Sequence, residues 1–214
     1  MASWVYRIAL LIPLFYWVSQ IFFGDLGAEP TKTLSHWTGE MALYYLWFNL
    51  AIGALIGFSF RWPAWSRFLL RHRRYLGVLT FLILVIHLFM YFALEAFEFN
   101  ALEQIVTKTY LIFGSLAWLI LLVLALTSNN ISIRKLGGRR WKQIHRTVYL
   151  ASFFVSIHVL LIEKTDLIKY GALVSLLWIV QLTRFARFLK KKMQKKSGPK
   201  GRRPKSSGAV SPVN

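Results

Sequence analysis

The chain contains no cysteine. That absence excludes disulfides, thiolate metal sites, iron–sulfur clusters and covalently attached c-type haem, which requires a Cys-x-x-Cys-His sequence. Charge is also scarce: 16% of the 214 residues are Asp, Glu, Lys or Arg, against about a quarter in a soluble domain. Acids are the scarcest of these, eight against 27 Lys and Arg, for a net charge of +19. No glycine-rich nucleotide fingerprint, no His-Glu-x-x-His run and no serine elbow occurs, so the common nucleotide-binding, zinc-protease and serine-hydrolase chemistries have no motif to rest on.

What is present is apolar length. Hydrophobic residues make up 56% of the chain and aromatic residues 16%, in runs long enough to cross a bilayer, for which about 20 residues suffice. Six spans are predicted, roughly 8–23, 38–60, 75–94, 110–127, 146–162 and 169–186, from the length and continuity of the apolar stretches. The expected fold is an all-α integral membrane protein, a six-helix transmembrane bundle over residues 1–189 with a disordered polybasic cytoplasmic tail over 190–214. The tail is rich in Lys, Ser, Gly and Pro and cannot build a core. Span one is expected to be an uncleaved helix, because Gly24-Asp25-Leu26-Gly27 offers no small-x-small cleavage site. Pro13 is expected within it, as membrane helices allow. Gly53-x-x-x-Gly57 predicts a close approach by a neighbouring helix.

The charges segregate. All eight acids (Asp25, Glu29, Glu40, Glu95, Glu98, Glu103, Glu163, Asp166) fall in alternate connections or at the span ends beside them. The other connections are basic: Arg61, Arg67, Arg71, Arg73 and Arg74 in one, Arg134, Lys135, Arg139, Arg140, Lys142 and Arg146 in the next. With Arg7 and the eleven Lys and Arg from Arg184 onward, 23 of the 27 lie on one side. By the positive-inside rule both termini are predicted to be cytoplasmic. The tail then reads as a stop signal and an anchor for anionic lipid, with no folded nucleic-acid reader beside it.

Against this background five histidines carry the chemistry. His87 and His158 fall deep in spans three and five, where an imidazole is costly unless partnered and so marks a functional site. His87 lies 13 residues past Arg74 and His158 12 residues past Arg146, about 20 Å and 18 Å of helix rise, so both sit at nearly one height in the outer half of the membrane. Bis-imidazole ligation of a haem is the predicted role of the pair, an arrangement suited to electron transfer without substrate binding at iron. Two neutral histidines bonded across helices are the plainer alternative. His145, 13 residues before His158, points about 140° away on an ideal helix and so serves a different ligand. It is a candidate for an inner haem, for a quinone or flavin site, or for an interfacial position among arginines. His72, within Arg71-His72-Arg73-Arg74, is expected at a solvated surface, with an inner-ligand role as the alternative. His36 is expected in the outer loop before span two, at the interface beside Trp37, with an outer quinol or partner site as the alternative. Glu95 and Glu98 are expected in a solvated outer loop.

Several blocks together resemble the ferric-reductase-like transmembrane superfamily, and within it the haem-bearing membrane subunits of bacterial periplasmic methionine sulfoxide reductase systems. The resemblance spans the chain up to its basic tail. It rests on Gly24-Asp25-Leu26-Gly27-Ala28-Glu29-Pro30, His36-x-Thr38-Gly39, Arg73-Arg74-x-Leu76-Gly77 leading to His87, Leu94-Glu95, Lys135-Leu136-Gly137-x-Arg139-x-Trp141-Lys142-Gln143-Ile144-His145, and His158. It implies haem b held by His87, His158 and His145 as candidate ligands. It also implies electrons from the quinone pool or a cytoplasmic flavin reductase, and delivery to a periplasmic molybdopterin-containing subunit that repairs oxidised proteins. Flavin mononucleotide is associated with such proteins, with no residue here to assign to it. Two-haem members of the superfamily carry a histidine 13 or 14 residues before the outer ligand; here those positions are Arg74 and Arg73, which sets a second bis-histidine haem in question. No nicotinamide-binding domain is expected in the mostly polar residues after span six. The expected activity is therefore that of an electron-transfer subunit in the bacterial inner membrane. The alternatives are a stand-alone ferric or cupric reductase and, from another class, a histidine-relay transporter.

Overall fold

The computed structural model describes residues 2–58, 64–95, 100–162 and 166–197. Arg61, Glu98, Glu163 and residues 198–214 lie outside the described residues. The described chain is helical, in the order α1 (Ala2–Ala9), α2 (Ile12–Phe23), α3 (Pro30–Phe58), α4 (Ala64–Leu94), α5 (Asn100–Thr107), α6 (Thr109–Leu126), α7 (Asn130–His145), α8 (Val148–Leu161) and α9 (Leu167–Ser197). Among the described residues five stretches are long and apolar enough to cross a membrane: Ser3–Phe23, Ser66–Leu94, Thr109–Leu126, Asn130–Leu161 and Leu167–Arg187. Large apolar side chains such as Phe22, Leu82, Phe89, Leu119 and Leu176 are exposed on their outer surfaces, as expected where the surroundings are hydrocarbon.

Several expectations are revised. Span one is two helices that break at Leu10-Leu11, and Pro13 stands at the start of the second instead of inside a continuous helix. Proline has no N–H to bond backward, so it is tolerated in a first turn. The connection expected before span three is mostly helix: α4 begins at Ala64 and carries Arg67, Arg71, Arg73 and Arg74 on its first turns. α3 likewise begins at Pro30, so His36 is on an exposed helical turn and not in a loop. α9 runs on to Ser197, so the first residues of the tail expected to be disordered are helical. The loop expected after Glu95 contains α5, and the Glu95 carboxylate accepts a 2.7 Å hydrogen bond from Gln104 Nε2 there. α7 is the polar run Asn130–His145; Gly137 breaks its regularity with φ 74, a left-handed value that glycine accepts without strain. The apolar part of that stretch is α8.

Two helix pairs organise the bundle, α3 with α4 and α6 with α8. In the first, contacts between residues 35 and 87 and between 49 and 73 fix an antiparallel register. In the second, Tyr110 meets His158, Phe113 meets Phe154 and Ser128 meets His145, again antiparallel. The face of α4 turned inward reads His72, Leu76, Leu79, Thr80 and Ile83, all buried, at the three- and four-residue spacing of one helical stripe that leads to His87. α8 contributes small buried residues, Ala151, Ser152 and Ser156. The main core gathers Leu43, Leu46, Trp47 and Leu50 of α3 with Leu121, Leu124, Ala151, Val174 and Leu177.

Gly53 faces the neighbouring helix α4, as its spacing suggested, at the Arg73 side chain. A Cβ there would lie 3.0 Å from an Arg73 guanidinium nitrogen. Gly53 therefore makes room for the Arg73 side chain, which donates to Asn49 Oδ1 at 2.9 Å while Asn49 donates back to the Arg73 carbonyl at 3.1 Å. This reciprocal pair satisfies polar groups that would otherwise be costly between apolar helices.

Candidate functional site

The bundle has a basic end, where Arg74 donates to Asn130 Oδ1 at 2.7 Å, and an acidic end. At the acidic end Glu40 accepts from the Tyr44 hydroxyl at 2.7 Å, pairs with Lys169 and lies 4.0 Å from His36 Nδ1.

His87 and His158 project from α4 and α8 near the acidic end. His87 Nδ1 lies 2.9 Å from the carbonyl oxygen of Ser35 on α3, with the Thr38 hydroxyl at 3.4 Å. His158 Nδ1 lies 2.7 Å from the carbonyl oxygen of Tyr110 on α6. A carbonyl only accepts, so in both rings Nδ1 carries the proton and donates. The proton-free Nε2 of each makes no hydrogen bond among the described residues. A glycine backs each ring: a Cβ on Gly39 would stand 2.9 Å from His87 Cε1, and one on Gly114 would stand 2.7 Å from His158 Nδ1. α4 and α8 do not form one of the main helix pairs; each packs chiefly on its own partner helix.

This donor set fits one kind of group. Among the described residues no cluster of three or more His, Cys, Asp or Glu side chains could hold a bare metal ion. Two neutral imidazoles with free Nε2 atoms suit an iron that already carries four in-plane donors, as a porphyrin provides. Their Nδ1–H bonds to main-chain carbonyls are the outer-shell contacts by which proteins orient ligating histidines.

The other histidines do not join this site. His72, expected at a solvated surface, is 3% exposed. Its Nδ1 bonds the carbonyl of Phe68, one turn back on its own helix, at 2.8 Å, and its ring lies 4.4 Å from Phe68 and 5.3 Å from Tyr6 of α1. The burial follows from its place on the inward stripe of α4, which outweighs its three arginine neighbours in sequence. His145 stacks on Trp141 at 3.9 Å, bonds the Trp141 carbonyl at 3.2 Å through Nδ1, and lies 3.2 Å from Ser128 Oγ through Nε2. His72 turns to α1 and His145 to the end of α6, so these two face different neighbours. His36 is exposed beside Glu40.

Sequence reasoning missed Ser35, Thr38, Gly39, Tyr110 and Gly114 as contributors. The Ser35 and Tyr110 contributions are main-chain oxygens, which leave no side-chain signature. The signal available for Thr38 and Gly39 was their place in the block His36-x-Thr38-Gly39.

Two comparisons with known proteins place the chain in a family. The profile of the ferric reductase like transmembrane component family matches residues 38–162, from Thr38 beside His87 to the end of α8. The haem-binding subunit MsrQ of the protein-methionine-sulfoxide reductase of Rhodospirillum rubrum is 35% identical over 180 residues, covering 82% of this chain and 84% of that protein.

Proposed function

The chain belongs to the ferric-reductase-like transmembrane family and is a homologue of the MsrQ haem-binding subunit. From that premise we propose that it is a b-type cytochrome of the bacterial inner membrane, the electron-transfer subunit of a methionine sulfoxide reductase system. In this reading α3 joins the five apolar stretches as a sixth crossing. The basic end and both termini face the cytoplasm, in keeping with the positive-inside rule. The donor is quinol or a cytoplasmic flavin reductase. The acceptor is a periplasmic, molybdopterin-containing, MsrP-like subunit that repairs oxidised methionine in proteins. Flavin mononucleotide has no residue assigned to it here.

When bound between two imidazoles, haem b supplies a one-electron carrier with no open iron position for substrate. The part of this chain is to hold and tune that group. His87 and His158 are the residues that would hold it, through Nε2. The Ser35 and Tyr110 carbonyls fix the tautomer of each ring and raise its basicity. The apolar helices around the pair keep water away and lower the local dielectric. His145, stacked on Trp141 at the basic end, belongs to the side where electrons arrive, and the surrounding Lys and Arg side chains form a face for a flavoprotein donor.

The observation that carries the reading is the twin arrangement of two membrane imidazoles, each tied through Nδ1 to the main chain of an adjacent helix. The test is a reduced-minus-oxidised optical spectrum of the purified protein with pyridine-haemochrome quantitation. A b-type signal that disappears in His87→Ala and in His158→Ala is expected. Colourless wild-type protein, or full haem in both variants, would overturn the reading.

A further inference from the structure

Neither Gly39 nor Gly114 is a glycine for backbone reasons. The only glycines with positive φ among the described residues are Gly27 and Gly137, so a residue with a side chain could adopt the helical conformation at either position. What excludes one is the ring in front. A Cβ at Gly39 would lie 2.9 Å from Cε1 and 3.1 Å from Nδ1 of His87; at Gly114 it would lie 2.7 Å from Nδ1 and 2.9 Å from Cε1 of His158. The glycines also share an offset. Ser35, whose carbonyl takes the His87 proton, is four residues before Gly39, and Tyr110, whose carbonyl takes the His158 proton, is four residues before Gly114.

The shared offset has a geometric cause. In a helix the carbonyl of residue i points toward residue i+4, whose N–H occupies one of its lone pairs. A donor from outside must reach the second lone pair across the surface beside residue i+4, where a side chain would project. A glycine there leaves that approach open. The same device occurs on α3 for α4 and on α6 for α8.

We propose that Gly39 and Gly114 are paired positioning residues for the two axial histidines: each opens its helix so that an imidazole can be anchored on the carbonyl one turn earlier. The inference rests on the haem reading above. An alanine at either position forces the ring off its carbonyl, because a histidine side chain is short and its ring cannot slide sideways without losing the 2.7–2.9 Å bond. With that bond weakened the imidazole becomes a poorer donor, and the ferric state loses more than the ferrous state. The midpoint potential then rises. Loss of such outer-shell contacts typically weakens a bound metal group by about 10–100-fold.

Other glycines provide the controls. A Cβ at Gly171 on α9 meets nothing within 4 Å, so Gly171→Ala should behave as wild type. The experiment compares the full chain with Gly39→Ala, Gly114→Ala and Gly171→Ala. Three readouts are used: low-temperature EPR g-values of the ferric protein, redox titration, and the rate of haem transfer to apomyoglobin. Expected are altered g-values, a more positive potential and roughly 10–100-fold faster haem loss in Gly39→Ala and Gly114→Ala, with Gly171→Ala unchanged. The two sites lie on different helix pairs, so failure of one variant to fold leaves the other to carry the test. Should both fail, pulsed EPR of the wild type reads the distal nitrogens directly, where an N–H held by a carbonyl is expected and a solvated N–H would overturn the proposal. A wild type without haem would sink the haem reading itself. A wild type with haem whose g-values, potential and haem loss are matched by both alanine variants would sink only this inference.

Discussion

Apart from the exposed His36, the two ends of the bundle each hold a pair of histidines, and they use the same hydrogen bond differently. At the acidic end His87 and His158 give their Nδ1 protons to carbonyls of neighbouring helices, Ser35 and Tyr110. At the basic end His72 and His145 bond carbonyls of their own chain four residues back, Phe68 and Trp141. A bond to a neighbouring helix fixes where a ring stands in the bundle and what its far nitrogen faces. A bond back along the same helix fixes only a rotamer. In the function proposed above, the acidic end presents two Nε2 atoms to a shared group, and the basic end does not. Arg73, 14 residues before His87, is bonded to Asn49 of α3.

The largest expected effect breaks the acidic end. Removing either of its imidazoles in His87→Ala or His158→Ala should reduce haem content to near zero, as read by pyridine haemochrome. Next comes the stoichiometry: wild-type protein should carry one haem per chain, and His145→Ala should keep it while slowing reduction by a quinol analogue or a flavin reductase. A second haem lost in His145→Ala would erase the contrast between the ends. His72→Ala should leave haem content unchanged but lower stability by about 1–3 kcal/mol, because it empties a site packed against Tyr6 and Phe68; thermal unfolding in detergent would show it. The smallest effect is expected from Thr38→Val. The Thr38 hydroxyl shares the Ser35 carbonyl with His87, at 3.0 Å, so its removal should strengthen the histidine bond and move the midpoint potential slightly downward in a redox titration.

Much of this was legible in the sequence, and the parts that were not share a cause. Apolar runs located five of the six predicted spans, with their C-terminal ends within a residue of those seen, because exclusion of water from the bilayer leaves hydrophobic length as the dominant constraint. His87 and His158 stood out because imidazoles are rare in such runs. His72 was misjudged from its arginine neighbours, although its spacing to Leu76, Leu79 and Ile83 put it on the buried stripe of α4. Gly53 was read as permitting a close approach by a neighbouring helix; what approaches is the Arg73 side chain of α4, which the spacing alone did not name. The early starts of α3 and α4, at Pro30 and Ala64, were missed because polar first turns carry no apolar signal. The carbonyl anchors could not be read at all, since any residue offers the same oxygen and only the fold decides which one meets a ring.

The most direct test of the contrast is EPR of the ferric protein in three forms: wild type, the double variant His72→Ala/His145→Ala, and His158→Ala. The account predicts one low-spin bis-imidazole signal, retained in the double variant and absent from His158→Ala. Loss of that signal from the double variant, or its persistence without His158, would contradict it.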